Sequence, residues 1–355
     1  MCVVHKSVGA AVLGVVLMAP SIPLALGQPQ ELSIHEIQSH TSDGDASIYN
    51  GQIVDCAGGI VVASLDRAVP RLILQDPACP DGWGAIQVKD RFGANAFDGV
   101  EAGDWVSLTN VEVEEYRGTT FLQWDEDFDP SLTITSNGVP PLPPPIVVSV
   151  SDIPAPIATN GGWFVENHDA EPYESMRLIV RDVTVMEWGL GKAEDNYNLQ
   201  NPQGANCWAA DYLNAEKEHP WDLYHPFVAV DQHFCAVTGI LEQYTKSLTL
   251  FDYYQILTLN WGDLAICGDG DSDGGADLDD LPRFEECLIG PGCDEEPEGC
   301  DPPAWTEPPA GLDIQHCLMM DQNYDGDVDL GDFGDFQMLL GDPQPRMRKE
   351  KRSDG

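Results

Sequence analysis

Oxygen-bearing side chains recur at alternating positions in a twelve-residue segment near the C-terminus, DQNYDGDVDLGD (321–332). They occupy positions 1, 3, 5, 9 and 12, Gly326 stands at position 6, and the apolar Val328 stands at position 8. A calcium ion takes six to eight oxygen ligands, and a loop that wraps around it needs a sharp glycine turn. The segment therefore predicts a calcium site, with the backbone carbonyl at position 7 as one ligand. The predicted ligands are Asp321, Asn323, Asp325, Asp327, Asp329 and Asp332.

A second copy of the pattern, DGDSDGGADLDD (269–280), begins 52 residues earlier. Gly274 supplies the turn, and Ala276 at position 8 predicts a looser loop than the later one. The alternative for either segment is a solvated run of acidic side chains. As a calcium site, the earlier loop has as its predicted ligands Asp269, Asp271, Asp273, Gly275 (through its carbonyl), Asp277 and Asp280.

Each loop runs into a short amphipathic segment that predicts a helix, LPRFEECLIG (281–290) and FGDFQMLLG (333–341). Phe284 and Phe336 stand at the same offset from their loops. The string GDSDG (270–274) also matches a nucleophile-elbow motif. It lies inside an Asp-rich loop rather than on a strand-to-helix turn, and the sequence offers no convincing catalytic constellation, so a non-enzymatic role is favoured.

The residues before these loops alternate apolar and polar positions in short runs separated by Gly, Pro and Asp, which predicts small all-β barrels or sandwiches. Three segments of the first β region recur in the second, in the same order. YNGQIVD, LILQDP and EEYRGTTFL (starting at 49, 72 and 114) match YESMRLIV, YNLQNP and EQYTKSLTL (starting at 173, 197 and 242). This order predicts a duplicated module.

The predicted organisation has six parts. They are a signal peptide (1–27), a first β module (31–138), a Pro-rich linker (139–156), a second β module (157–262), a calcium module (265–342) and a basic disordered tail (343–355).

The two β regions resemble the OB-fold modules that precede the catalytic domain in secreted bacterial nucleases, although that catalytic domain has no counterpart here. The paired loops, each closed by Asp at position 12, resemble the dockerin type I module found in planctomycete secreted proteins. The fold class predicted is mostly β: two OB-like barrels followed by a small α-helical, dockerin-like (EF-hand type) module with a double calcium loop. The dockerin resemblance implies two Ca²⁺ ions and a cohesin-like or cell-surface partner. Leu278-Asp279 and Leu330-Gly331 depart from the small hydroxyl residues that usually contact cohesin, which puts that partner in doubt.

The first residues have a Lys6 n-region, an apolar stretch from Val8 to Met18 and a small-residue cleavage site before Gln28, as in a secretory signal peptide. No later run is long and apolar enough to predict a transmembrane segment. We therefore expect a secreted protein, extracellular or at the cell surface, with the periplasm as the alternative. Cysteines of an exported chain are disulfide candidates, and the spacing within the β modules suggests the pairs Cys56–Cys79 and Cys207–Cys235.

The chain carries 60 acidic against 17 basic residues, a net charge of −43. Such a charge repels phosphate backbones and argues against a nucleic-acid partner. Tryptophans in the β modules are candidates for stacking on sugars, with core packing as the alternative; they are Trp83, Trp105, Trp124, Trp163, Trp188 and Trp208. The sequence favours a calcium-stabilised, non-catalytic binding or attachment protein. The alternatives are an accessory substrate-binding subunit of an extracellular nuclease or polysaccharide-degrading system and, third, a hydrolase in its own right.

Overall fold

A computed structural model describes most of the two β regions and part of the acidic C-terminal region. The described residues are 29–39, 46–65, 69–91, 96–135, 142–159, 161–192, 195–214, 228–246, 251–270, 276–288, 317, 319–323 and 328–340. The predicted signal peptide and basic tail lie outside them. The contacts divide the chain into two compact units. Apart from two short stretches, the first unit ends at Pro143 and the second begins at Pro144. No helix among these residues is long and apolar enough to cross a membrane.

The first unit contains a closed barrel. Its elements are β1 (Gln30–Leu32), α1 (Ile34–Gln38), β2 (Ile53–Leu65), β3 (Arg71–Gln75), β4 (Ala85–Asp90), β5 (Trp105–Tyr116), β6 (Thr119–Trp124) and β7 (Ser131–Thr135). The strands pair in the order β1-β2-β3-β4-β6-β5-β7, and β2 also pairs with β5, which closes the ring of five. The parallel β4–β6 pair and this strand order are those of an OB fold.

The long strand β2 pairs with both β3 and β5 because it bends. Its register with β5 shifts on either side of Cys56, and Gly58 has a φ of +100°. A Cβ at Gly58 would lie 2.0 Å from the carbonyl oxygen of Val106, so only glycine fits here. Side chains on the inner face, including Leu72, Ile86 and Leu122, form the barrel core.

The second unit contains a barrel with the same plan. Its strands are β8 (Ile146–Val147), β9 (Ile157–Thr159), β10 (Gly162–Phe164), β11 (Arg177–Leu190), β12 (Asn196–Gln200), β13 (Asn206–Ala210), β14 (His233–Lys246), β15 (Phe251–Leu257) and β16 (Leu264–Ala265). The order is β16-β14-β11-β12-β13-β15-β10-β9, with β14–β15 closing the ring. The pairings β11–β12, β12–β13, β13–β15 and β11–β14 repeat those of β2–β3, β3–β4, β4–β6 and β2–β5. The strand pairing therefore shows the same module twice, and the mostly β, OB-fold part of the prediction is confirmed.

Among the described residues after the second barrel are two short helices, α2 (Leu281–Cys287) and α3 (Leu330–Leu339). Phe284 of α2 and Phe336 of α3 stack with ring centroids 5.3 Å apart. The two rings share one buried cluster with Val328 and with Ile179 and Ala236, which lie on the barrel strands β11 and β14. The helices thus pack on the outer face of the second barrel.

The cysteine pairs predicted from spacing are wrong. Cys235 is bonded to Cys267, and Cys287 is bonded to Cys317. Cys56 and Cys207 are buried free thiols whose pKa burial raises to about 12. Both point into barrel cores. Spacing along the chain does not reveal that Cys235 faces outward on β14 toward the C-terminal residues, whereas Cys207 faces inward on β13.

Peptide mapping without reductant tests these pairings. We expect cross-linked peptides that join Cys235 to Cys267 and Cys287 to Cys317. Cys207 should stay unmodified by a thiol reagent in the folded protein and react once guanidinium exposes it, because a buried thiol carries little thiolate. A peptide that joins Cys207 to Cys235 would contradict the structure.

Candidate metal centre

The ends of both Asp-rich loops are buried. Asp269 and Asp280, at positions 1 and 12 of the first loop, are 4% and 1% exposed, and Asp321 and Asp332 of the second loop are both 0% exposed. Carboxylates are rarely buried without a charged or metal partner, because leaving water costs several kcal/mol or more. Burial at the same two positions of two separate loops indicates a shared structural role rather than a solvated acidic run.

Backbone hydrogen bonds fold the second loop so that its first residues meet its last. Asp332 Oδ1 accepts from the backbone N–H groups of Gln322 at 2.7 Å and Asn323 at 3.2 Å. Asp332 Oδ2 accepts from the backbone N–H of Asp329 at 2.8 Å. Asp329 in turn caps α3 by accepting from the Gly331 N–H at 2.5 Å. These bonds bring the backbone of positions 2, 3 and 9 to the carboxylate at position 12, at the N-terminus of a helix, where the helix dipole favours negative charge.

The first loop ends in the same way. Asp280 Oδ2 accepts from the backbone N–H of Asp277 at 2.6 Å, and Asp277 Oδ1 accepts from that of Asp279 at 2.8 Å. These bonds form a capping box ahead of α2, matching the box formed by Asp329 and Asp332 ahead of α3. Both predicted loops thus close with the same local geometry.

The structure describes seven of the twelve predicted ligands, Asp269, Asp277, Asp280, Asp321, Asn323, Asp329 and Asp332. The other five, Asp271, Asp273, Gly275, Asp325 and Asp327, lie outside the described residues. Within the described part of the chain, no three His, Cys, Asp or Glu side chains are grouped closely enough to hold a metal ion. The donor set is nonetheless all oxygen, which suits calcium rather than zinc or copper.

An arginine from the second barrel contacts the second loop, and the sequence analysis did not identify this contact. Arg181 of β11 places Nη1 3.3 Å from Asp321 Oδ2. The side chain of Asp321 is fully buried, while Arg181 remains partly exposed. Arg181 lies on the outward face of β11, two residues after Ile179 of the shared apolar cluster. A periodic reading of β11 marks Arg181 as outward-facing but does not name the loop that it reaches, 140 residues away.

The tryptophans divide between core and surface. Trp208 of β13 is buried, with its ring centroid 4.9 Å from that of Trp163 and 5.1 Å from that of Tyr253. This cluster covers the outer face of β13, β10 and β15. Trp188, on a bulged stretch of β11, is 48% exposed. Core or cluster packing therefore accounts for Trp208, whereas about half of the Trp188 side chain is exposed.

No protein-family model matches this chain, and no curated protein matches it. Among solved structures it is similar to the OB domain of a Methanosarcina mazei protein, at 21% identity over 31% of this chain and 88% of that one, with a TM-score of 0.23. It is also similar to fission yeast Pot1 with single-stranded DNA, at 14% identity over 64% and 82% of the two chains (TM-score 0.27). A third is a replication protein A heterotrimer bound to single-stranded DNA, at 11% identity over 65% and 68% (TM-score 0.22). The fold assignment rests on the strand order given above.

The contact between Arg181 and Asp321 predicts a measurable contribution to stability. In chelator, Arg181→Met should lower the free energy of unfolding by about 1.5–3 kcal/mol, because it removes a charged hydrogen-bond partner from a buried carboxylate. Arg91→Met breaks an exposed ion pair of the same length, Arg91 Nη1 to Glu114 Oε1 at 3.3 Å, and serves as the matched control. Urea unfolding monitored by circular dichroism measures both. Equal losses in the two variants would show that the ion pair has no special role.

Proposed function

We propose that this chain is a calcium-binding, non-catalytic extracellular protein that uses its barrels for binding or attachment. The observation that carries the proposal is the burial of four loop-end carboxylates, Asp269, Asp280, Asp321 and Asp332, at matching positions of two loops. Two calcium ions would supply the positive charge that such burial calls for. The residues that would hold them are the twelve predicted ligands.

The structural consequence of calcium would be order in the loops. Each loop crowds several carboxylates into twelve residues, and without a cation they repel one another. The capping boxes already hold positions 9 and 12, so the ion would draw the remaining oxygens toward a fixed base. Because metal binding favours the folded state only, its free energy adds to that of folding.

Attachment through the paired loops is the role that the dockerin resemblance suggests, with a cohesin-like or cell-surface partner. The alternative is an accessory subunit that binds the substrate of an extracellular nuclease or polysaccharide-degrading system. Pot1 and replication protein A are described with single-stranded DNA. For this chain, a net charge of −43 argues against nucleic acid and leaves polysaccharide as the better candidate. The disulfides fit an oxidising compartment, as in secreted proteins.

Calcium titration by calorimetry tests the proposal. We expect two sites in the wild-type chain and one in each of two double variants, Asp269→Asn with Asp273→Asn and Asp321→Asn with Asp325→Asn. Each double variant removes two carboxylate ligands from one loop. Asp335→Asn, on α3 but outside the loop, should keep both sites. No calcium binding by the wild-type chain would overturn the proposal.

Hydrogen exchange tests whether calcium stabilises the second barrel as well as the loops. The shared cluster, the Arg181–Asp321 ion pair and the Cys235–Cys267 bond join the two. At calcium a hundredfold above its dissociation constant, folding gains about 2.7 kcal/mol, so amides of β14 that exchange by unfolding should slow by up to about a hundredfold. Strands β2 and β5 of the first barrel, which have their own core, are the internal control.

Protection confined to residues 269–340 would show that the loops bind calcium without coupling to the barrel. Protection that extends through β11 and β14 is the expected result.

A further inference from the structure

One face of the second barrel carries a row of uncharged hydrogen-bonding side chains in register across four strands. Thr184 of β11 pairs with His233 of β14 on one side and with Gln200 of β12 on the other. Gln200 pairs with Asn206 of β13. All four side chains are half-buried, and they alternate with core residues such as Val183 and Leu199. We call these four residues the polar row.

The polar row is continuous, and its hydrogen bonds hold it in place. His233 Nδ1 lies 3.1 Å from Thr184 Oγ1, and Gln200 Nε2 donates to Asn206 Oδ1 at 3.1 Å. With strands about 4.8 Å apart, the row extends for about 14 Å, the length of a short oligosaccharide. Preorganised side chains lose little conformational entropy when a ligand binds.

The polar row keeps unused hydrogen-bonding capacity. Gln200 Oε1 accepts no hydrogen bond from the described residues. Asn198 of the same strand lies outside the row and donates its Nδ2 to Asn206 Oδ1 at 3.1 Å, while its own Oδ1 is buried and not exposed to a ligand. A sugar hydroxyl can donate one hydrogen bond while it accepts another, so it matches an amide side chain, which has both a donor and an acceptor.

The row is neutral in a strongly acidic protein. None of its four members is a lysine or arginine. Burial lowers the pKa of His233, and the opposing pull of Asp182 does not restore it, so the imidazole is neutral at pH 7. Phosphate or carboxylate ligands would meet the chain's charge of −43 with no cation in the row to receive them. A neutral ligand meets no such barrier.

OB folds commonly use the face of the second and third barrel strands, near the loops after the first and fourth. Gln200 and Asn206 lie on those two strands, β12 and β13, but at the end away from these loops. In this barrel the outer face of β13 and β15 toward that end is filled by Trp208 and Tyr253. Gln200 and Asn206 flank the 201–205 turn at the other end of their strands. Trp208 is paired with Asn198 and contacts the half-buried Trp163, but Trp208 is itself buried and so belongs to the packing beside the row rather than to its exposed surface.

We propose that the polar row is a binding site for a neutral oligosaccharide. The inference rests on the proposed binding function and gives it a ligand class. A linear glycan would lie across β14, β11, β12 and β13, with its hydroxyls bonded to Thr184, Gln200 and Asn206. The amides of Gln200 and Asn206 make the contacts that set its orientation.

Calorimetry on the full chain with calcium tests the site. The probes are cellohexaose, xylohexaose and mannohexaose as neutral ligands, hexagalacturonate as the anionic counterpart, and a dT10 oligonucleotide. We expect at least one neutral hexasaccharide to bind and the two anions not to. Gln200→Ala combined with Thr184→Val should weaken that binding about tenfold or more, the loss of one or two hydrogen bonds.

Gln203→Ala, an exposed glutamine in the turn beside the row, is the matched control and should bind as the wild type does. Thr184→Val alone preserves side-chain shape and guards against misfolding of the double variant. The inference is overturned if no neutral hexasaccharide binds at millimolar concentration, or if only dT10 or hexagalacturonate binds. It is also overturned if the Gln200→Ala, Thr184→Val double variant binds the sugar as tightly as Gln203→Ala does. Calcium titration of the same samples separates the two proposals, because two calcium sites without glycan binding would overturn only this one.

Discussion

Burial of carboxylates is the constraint on which the C-terminal region depends. Asp321 and Asp332 are fully buried although they belong to a chain with a net charge of −43. Their positions follow from apolar packing, since Phe336 and Val328 enter the same cluster as Phe284 and carry the loop ends inward with them. The favourable term is the burial of these apolar side chains, and the opposing term is the desolvation of the acids beside them. A cation bound to these acids would lower their desolvation cost, so that less of the free energy gained by apolar burial is offset.

The second barrel takes part in this balance. Its outward residues Ile179 and Ala236 give the two helices an apolar surface, and Arg181 on the same side brings a positive charge to Asp321. The helices α2 and α3 are too short to be stable in water by themselves. Their stability therefore comes from the barrel and from the disulfide between Cys235 and Cys267. We therefore expect barrel and loops to unfold together, so that calcium bound to the loops would slow exchange in the barrel.

The sequence predicted what is local or repeated. Alternation predicted the strands, and the repeated LILQDP and YNLQNP segments predicted the duplicated barrel. The equal offsets of Phe284 and Phe336 indicated equivalent positions, but their stacking was not predicted. Contacts between residues far apart in the chain could not be predicted from it. Cys235 pairs with Cys267 rather than Cys207 because strand register and backbone conformation, including the left-handed Asp182 opposite Cys235, decide which face each cysteine takes. In the same way, the polar row consists of four residues unremarkable in sequence, and only the register across β14, β11, β12 and β13 makes them neighbours.

The distribution of charge explains how an acidic chain can retain a selective binding face. Like charges spread over the surface keep proteins apart and exclude anions, but they do little to a neutral sugar, whose binding depends on directed hydrogen bonds and apolar contact. On the second barrel Asp321 lies buried beside Arg181, whereas the row at Thr184 and Gln200 has no charged member and borders one carboxylate, Asp182, whose Oδ1 is 3.5 Å from His233 Nε2. One barrel therefore presents two chemically distinct surfaces. The acidic one suits a divalent cation, and the neutral one suits a ligand that the chain's overall field neither attracts nor repels.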